Sequence, residues 1–229
     1  MKFPPALQPT NLTMLGYGAL LSESSSRLTF PHLTNFRHVR VKGLRRVFAH
    51  PHLFLLKEGV VEYPSTLKIA SLSAEPAPNE ISFVVAAFEV VLDESQRSAF
   101  LQREPEYKIE TTEFYALEEC GDGSDESLGA GVICLASKDT DIDLTTNPDS
   151  IKTVWNWSYE SGILPLSMYL RHCLLAVEKA GGSAHESFLK DTYLADRRTT
   201  LAEYLDGHGD EVMASVVDIP PHLTARFSG

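Results

Sequence analysis

The sequence predicts an α+β domain: a small mixed or antiparallel β-barrel with flanking helices and a helical C-terminal extension. Two observations carry this prediction. Runs rich in β-branched and aromatic residues crowd the first part of the chain, with one helical pattern among them, and amphipathic helical patterns crowd the end. A doubly wound parallel sheet needs strands alternating with helices, an order absent here. At 229 residues, 43% hydrophobic and 22% charged, the chain suits a soluble globular protein of one large domain or two small ones.

The elements follow in chain order. Residues 1–11 are proline-rich and read as an extended arm, with a single domain over 12–205. Residues 12–17 read as a strand ending at Gly18, and the polar "SESSSRLTF" that follows reads as loop. Residues 36–50 alternate partially, with Gly43 marking a bulge or bend. "ISFVVAAFEVV" over 81–91 is the continuous apolar run of a buried strand. Asp93, with Gln96 three residues on, opens a helix over 93–104. Residues 107–117 and 130–137 read as two strands, joined by an acidic, glycine-containing hairpin loop over 118–131.

The extension, 163–205, begins with the longest helix. Pro165 suits its first turn, Gly181 and Gly182 stop it, and Leu166, Tyr169, Leu170, Cys173, Leu174 and Val177 form one apolar face. "SAHE" (183–186) and "TLAE" (200–203) have the pattern of capping boxes opening two shorter helices, and residues 206–229 read as a tail.

The net charge of −11 argues against nucleic acid or an anionic membrane as partner, since both need a basic footprint. No stretch approaches the roughly 18 apolar residues of a membrane span, and the start lacks the apolar core of a signal peptide. Cys120, Cys134 and Cys173 are widely spaced, odd in number and form no CxxC. Free thiols in a reducing compartment follow, either the cytoplasm or an organelle matrix after removal of a transit peptide.

Among candidate chemical groups, His50 and His52 have no Cys, His or Asp cluster around them to complete a metal site, so no metal is expected. Serines 24–26 lie outside any nucleophile elbow, and no Walker or GxGxxG motif occurs. Arg45 and Arg46 fall on opposite faces of their strand, so one of them points inward. "FLQREPEYKIETTEFY" (100–115) ends a helix at Arg103-Glu104, breaks at Pro105 and enters a strand near Tyr107. A carboxylate at such a junction can point into a barrel mouth, with Glu104 first and Glu106 its nearest competitor.

"LGYGALL" (15–21) resembles the YGS(N/L)L loop of the γ-glutamyl cyclotransferase-like superfamily, and "LQREPEY" (101–107) with its tyrosine-bearing strand resembles that superfamily's acidic catalytic segment. "VKGLRRVFAH" (41–50) is similar to the superfamily's GxRxxF strand. The ending, "ILPLSMYLRHCLLAV" through "FLKDTYLADRRTTLAEYL", resembles a plant and algal subgroup. The likeness spans residues 12 to about 205.

The resemblance implies a small barrel with flanking helices and a cofactor-free transferase or lyase-type reaction. The α-amine of a γ-glutamyl group attacks its own γ-carbonyl, giving 5-oxoproline and a released amine or peptide, as in glutathione metabolism. Glu104 is implied as general acid and base. Tyr17, Gly18, Ala19, Leu20 and Leu21 are implied to hold the glutamyl end through backbone amides, with Tyr107 and Tyr115 beside the substrate. Ala19 stands where the superfamily usually has serine. That departure supports an alternative, a catalytically inactive module binding or sensing a small metabolite on the same barrel. A third reading has Glu104 act on another amide.

Overall fold

The computed structural model describes residues 3–117, 126–148 and 150–215. Cys120, most of the expected acidic loop and the last part of the expected tail lie outside them. The fold is a mixed α+β arrangement. Its strands are β1 (Asn11–Gly16), β2 (Thr34–Lys42), β3 (Leu44–Pro51), β4 (Lys68–Pro76), β5 (Ser82–Val91), β6 (Lys108–Tyr115), β7 (Ser127–Leu135), β8 (Leu164–Pro165) and β9 (Thr192–Tyr193). Its helices are α1 (Glu23–Thr29), α2 (Leu53–Lys57), α3 (Glu94–Arg103), α4 (Ser167–Ala180), α5 (Gly182–Lys190) and α6 (Leu201–Ala214). Among the described residues, no helix is long and apolar enough to cross a membrane.

The strands lie in the order β1-β5-β2-β6-β7-β4-β3-β9, and β1 also pairs with β7 at Met14 and Val132, so β1, β5, β2, β6 and β7 return on themselves in a ring. β5 is the spine of this arrangement, antiparallel to β1 on one side and to β2 on the other. Its apolar run is explained by burial on both faces. Phe83, Val85 and Ala87 enter the main core, whereas Ala86, Phe88 and Val90 enter a second core with Leu12, Met14, Phe30 and Phe100. Gly43, at φ +67°, takes the left-handed conformation at the corner where the chain leaves β2 for β3.

Several elements depart from the sequence reading. Residues 5–7, within the expected extended arm, form a 3-10 turn with Leu7 fully buried. The serine-rich stretch expected as loop contains α1, fastened from outside by Ser26 Oγ donating to Leu20 O and Arg27 Nη1 to Leu33 O. β4 is a further strand, and its small polar residues Ser71 and Ser73 are buried, Ser71 against Tyr169 of α4. α4 starts two residues after Pro165, which instead pairs with β4. Ser183 does not cap α5, because Gly181 ends α4 at φ +63° and is itself the N-cap of α5. The capping boxes at Asp93 and Thr200 are both present, and α6 continues to Ala214, into the segment read as tail. The extension is built into the main core through Leu170, Val177, Phe188, Leu201 and Val212.

Arg45 and Arg46 take opposite faces of β3, and Arg46 is the one that points inward. Arg45 pairs with Glu75 at 3.7 Å, whereas Arg46 is completely buried. A guanidinium carries five N–H donors, and each has an acceptor here. Nε donates to Thr192 Oγ1 (2.7 Å), Nη1 to Tyr17 O (3.3 Å) and Val84 O (3.1 Å), and Nη2 to Ser187 O (2.7 Å) and Ser187 Oγ (3.4 Å). Phe83 and Phe188 cover the cation at 4.9 and 4.8 Å. Burial pushes the Arg46 pKa down to about 9, which leaves the group cationic at neutral pH.

Replacing Arg46 by Met keeps apolar volume but strips the Tyr17, Val84 and Ser187 carbonyls of their donor. Each abandoned buried acceptor costs about 1–3 kcal/mol, so urea unfolding of Arg46→Met should show a loss of at least about 3 kcal/mol. Arg45→Met, one residue away in a partly exposed ion pair, should stay within about 1 kcal/mol of wild type.

Candidate functional site

β1 ends at Gly16, where a Cβ atom would lie 2.4 Å from Leu20 Cβ. Only glycine fits there, because Leu20 folds back over it. The next residues form a 3-10 turn over Ala19–Leu21. Their carbonyls are all engaged on the protein side. Tyr17 O accepts from Arg46, Gly18 O from Leu21 N–H, Ala19 O from Ser22 N–H and Leu20 O from Ser26 Oγ, while Leu21 O bonds His38 Nε2. The Ala19 N–H is directed at Cys173 Sγ. Among the described residues, the N–H groups of Gly18 and Leu20 have no acceptor.

Both of those residues line a cavity of about 430 Å³. Glu104, Glu106 and Tyr107 line the same cavity, with Tyr169 and His172 from α4. Glu104 caps the C-terminal end of α3, where Pro105 prevents further helix. Its side chain is 20% exposed, and Oε1 accepts from Arg103 Nε at 2.7 Å. Arg103 Nη1 reaches Thr29 Oγ1 at 3.3 Å.

The charge of Glu104 is felt across the cavity. Burial first, and then surrounding groups that include Glu104, hold Tyr17, Tyr107 and Tyr169 well above the ordinary tyrosine value and push the Cys134 thiol up. The tyrosines therefore remain protonated donors near neutral pH. Tyr17 donates to Cys134 O (2.7 Å) and Tyr107 to Leu72 O (2.9 Å). Since Tyr107 spends its proton on Leu72, the contact of His50 Nε2 with Tyr107 Oη (3.0 Å) makes His50 the donor. Burial, and then His52, push His50 down to about 3, so this imidazole is neutral. His52 Nδ1 accepts from Leu55 N–H at the start of α2, so the two histidines bond to different partners.

The corner carrying Glu104 and Glu106 is held from a distant loop. Trp155 Nε1 donates to Glu106 O at 2.9 Å, and its ring stacks on His50 at 4.4 Å. Trp155 is held in turn by Asp139, whose carboxylate accepts from Thr153 Oγ1 (2.5 Å) and from the N–H groups of Val154 and Trp155 (2.9 Å each).

Two residues expected at the site lie away from the cavity. Tyr115 ends β6, roughly 23 Å along the strand from its first residue at 3.3 Å per step. There it donates to Glu113 and packs under Lys42. Leu21 is fully buried in the main core and gives its N–H to Gly18 O, so it offers nothing to a ligand. Tyr17, Gly18, Ala19, Leu20, Glu104 and Tyr107 do share the cavity. Tyr169 was legible in the sequence only as part of an apolar helix face. Its hydroxyl lies 3.4 Å from where a Gly18 Cβ would stand and hydrogen-bonds to Cys173 and Ser71. Arg103 stands in the sequence motif beside Glu104, whereas no signal in the sequence marks Trp155 as the support of that corner.

Neither a protein-family model nor a curated protein matches the chain. Solved structures similar to it include γ-glutamyl cyclotransferases. One is a yeast γ-glutamyl cyclotransferase specific to glutathione, at 12% identity over 78% of this chain and 96% of that one, with a TM-score of 0.48. Another is described as γ-glutamyl cyclotransferase, at 11% identity over 56% and 67% of the two chains, TM-score 0.40. A human protein aligns at 11% identity over 56% and 68%, TM-score 0.40.

The Asp139 clamp yields a pH prediction. Burial alone would raise the Asp139 pKa, but the bonds from Thr153, Trp155 and Val154 outweigh it and hold the group below the ordinary value of 3.8. A carboxylate depressed in the folded state stabilises fully above its unfolded pKa and loses that contribution as pH falls through the folded one. Tryptophan emission should therefore be flat from pH 7 to about 4.5 and shift below about pH 3.8. Asp139→Asn should show the shifted emission already at pH 7. An unchanged spectrum in the variant would rule out the clamp.

Proposed function

We propose that the cavity cyclises a γ-glutamyl group, releasing 5-oxoproline and an amine. The observation that carries this reading is the shared cavity: the Glu104 carboxylate on one wall, and the two unengaged amides of Gly18 and Leu20 on another. Two such N–H groups with every nearby carbonyl turned to other partners make a small anion cradle. It would hold the α-carboxylate of the glutamyl end. The α-amine then lies on the same molecule as the γ-carbonyl it attacks, so no external nucleophile is needed and ring closure has the advantage of an intramolecular step.

One carboxylate suffices. The α-ammonium sheds two protons to become the lactam N–H: Glu104 takes the first, which frees the amine to attack, and returns it to the departing nitrogen as the original C–N bond breaks, while the second, lost from the ring nitrogen once the new bond has formed, leaves on the released amine as its ammonium. Glu106 faces the same cavity and is the competing base. The hydroxyls of Tyr107 and Tyr169, kept protonated by burial, line its edge with their bonds already made, Tyr107 to Leu72 O and Tyr169 to Cys173 and Ser71.

The test is 5-oxoproline release from a panel of glutathione, γ-glutamyl-alanine and γ-glutamyl amines. Glu104→Gln should lower turnover by about 10²–10⁴-fold, the usual cost of losing a general base, with an unchanged thermal melt. Glu106→Gln should keep most activity; the reverse result moves the role by two residues. If wild type releases no 5-oxoproline from any member, cyclisation is wrong. Ligand retention without turnover would then identify a binding module, with Ala19→Ser the reversion to try.

A further inference from the structure

A second hollow of about 300 Å³ lies between the turn after α1, the end of β5 and α3. Phe30, Leu33, Val90 and Leu92 give it a buried apolar body. Thr29, the last residue of α1, with Phe100 and Arg103 of the last turn of α3, lines both this hollow and the Glu104 cavity. Arg103 Nη1 donates to Thr29 Oγ1 at 3.3 Å, so a hydrogen bond closes the wall between them. Val91 borders the second hollow 73% exposed, a large apolar side chain left to water at the end of β5.

The cation in that wall also holds the candidate base. Arg103 Nε is on Glu104 Oε1 at 2.7 Å. A guanidinium has five N–H donors in a planar fork. Among the described residues, the three that Arg103 does not give to Glu104 or Thr29 meet no acceptor. The side chain is 34% exposed, so a ligand can reach them. An apolar hollow that ends in such a fork suits a molecule with an apolar body and one carboxylate.

We propose that the second hollow is an effector site for a small apolar monocarboxylate, a molecule that is neither substrate nor product. Its tail fills the hollow and covers Val91, and its carboxylate takes the spare Nη donors of Arg103. Two carboxylates then claim one guanidinium. With the hollow empty, Arg103 rests on Thr29 and Glu104. With it filled, the fork is drawn off Thr29 toward the effector, and Glu104 loses the partner that fixes its carboxylate. Arg103 is therefore the element with two arrangements that both sites bias, which is what coupling between them requires. The direction follows: an effector that loosens the base lowers turnover. Occupancy of the hollow stands apart from the cyclisation reading, and only the effect on turnover rests on it.

The experiment titrates the full chain with octanoate by calorimetry. Octan-1-ol, which keeps the tail without the charge, and acetate, which keeps the charge without the tail, are run beside it. Octanoate should bind at least about tenfold more tightly than either. Ala99→Trp puts an indole on an exposed α3 residue that lines the hollow, and Val91→Asp sets a like charge at its rim. Each should weaken octanoate by at least about tenfold, and the second guards against a folding defect in the first. No saturable binding, octan-1-ol or acetate equal to octanoate, or an affinity unmoved in both folded variants would overturn the proposal. In the 5-oxoproline assay, saturating octanoate should lower the wild-type kcat by at least about fivefold, a common size for coupling between sites. Ala99→Trp should keep its own rate when octanoate is added. Inhibition that excess substrate removes would put octanoate in the Glu104 cavity and overturn the effector role, as would an unchanged kcat. If wild type turns over no member of the panel, the cyclisation reading fails by itself, and the calorimetric outcomes decide the site.

Discussion

A buried guanidinium organises this molecule. Arg46 is cut off from water, and among the described residues no carboxylate contacts it directly; carbonyl and hydroxyl oxygens and two aromatic faces replace its hydration. Burying a charge is affordable only when every donor is met, and that requirement ties together parts of the chain far apart in sequence. Thr192 and Ser187 come from the C-terminal extension, Val84 from the central strand and Tyr17 from the loop of the candidate site. Ser187 Oγ also accepts from Val84 N–H at 2.9 Å, closing the network. Through this single side chain, docking of the extension and the shape of the Gly18 loop become one event.

The loop is chemically useful because of what its carbonyls do. Five consecutive carbonyls, from Tyr17 to Leu21, are bound from behind by a cation, two backbone amides, a hydroxyl and an imidazole. A 3-10 turn leaves its leading amides without partners, and here those of Gly18 and Leu20 belong to residues that line a cavity. α4 closes the other side, with Tyr169 against Gly18 and Cys173 taking the Ala19 N–H. The extension is therefore part of the cavity wall as well as of the core. Across the cavity, the Glu104 corner depends on Trp155, 49 residues away from the Glu106 carbonyl it holds.

What could be read from the sequence follows the range of each interaction. The capping boxes at Asp93 and Thr200 were legible because donor and acceptor lie within four residues. The β5 run was legible because burial on both faces leaves a continuous apolar stretch. α1 was not, since its serines read as loop and its fastening comes from Leu20 and Leu33. β4 was missed for a similar reason: Ser71 and Ser73 look like turn residues until the fold buries them, Ser71 against Tyr169 nearly a hundred residues on. At Ser183 the capping pattern is present, but the chain reversal at Gly181 claims the position. Within the site, the order of the two motifs placed Gly18 and Glu104 together. Tyr115 lies away from it because one strand length separates it from the helix-to-strand corner, and Leu21 because the 3-10 turn spends its N–H on Gly18 O.

The central claim is that the Gly18 loop is an anion cradle facing Glu104. The most direct measurement is a titration of ¹⁵N-labelled protein with 5-oxoproline, followed by amide chemical shifts. The Gly18 and Leu20 resonances should move together and saturate, while Leu21, whose N–H is already given to Gly18 O, should barely respond. Saturable shifts confined to other surfaces, or none at all for Gly18 and Leu20 at millimolar ligand, would contradict the account.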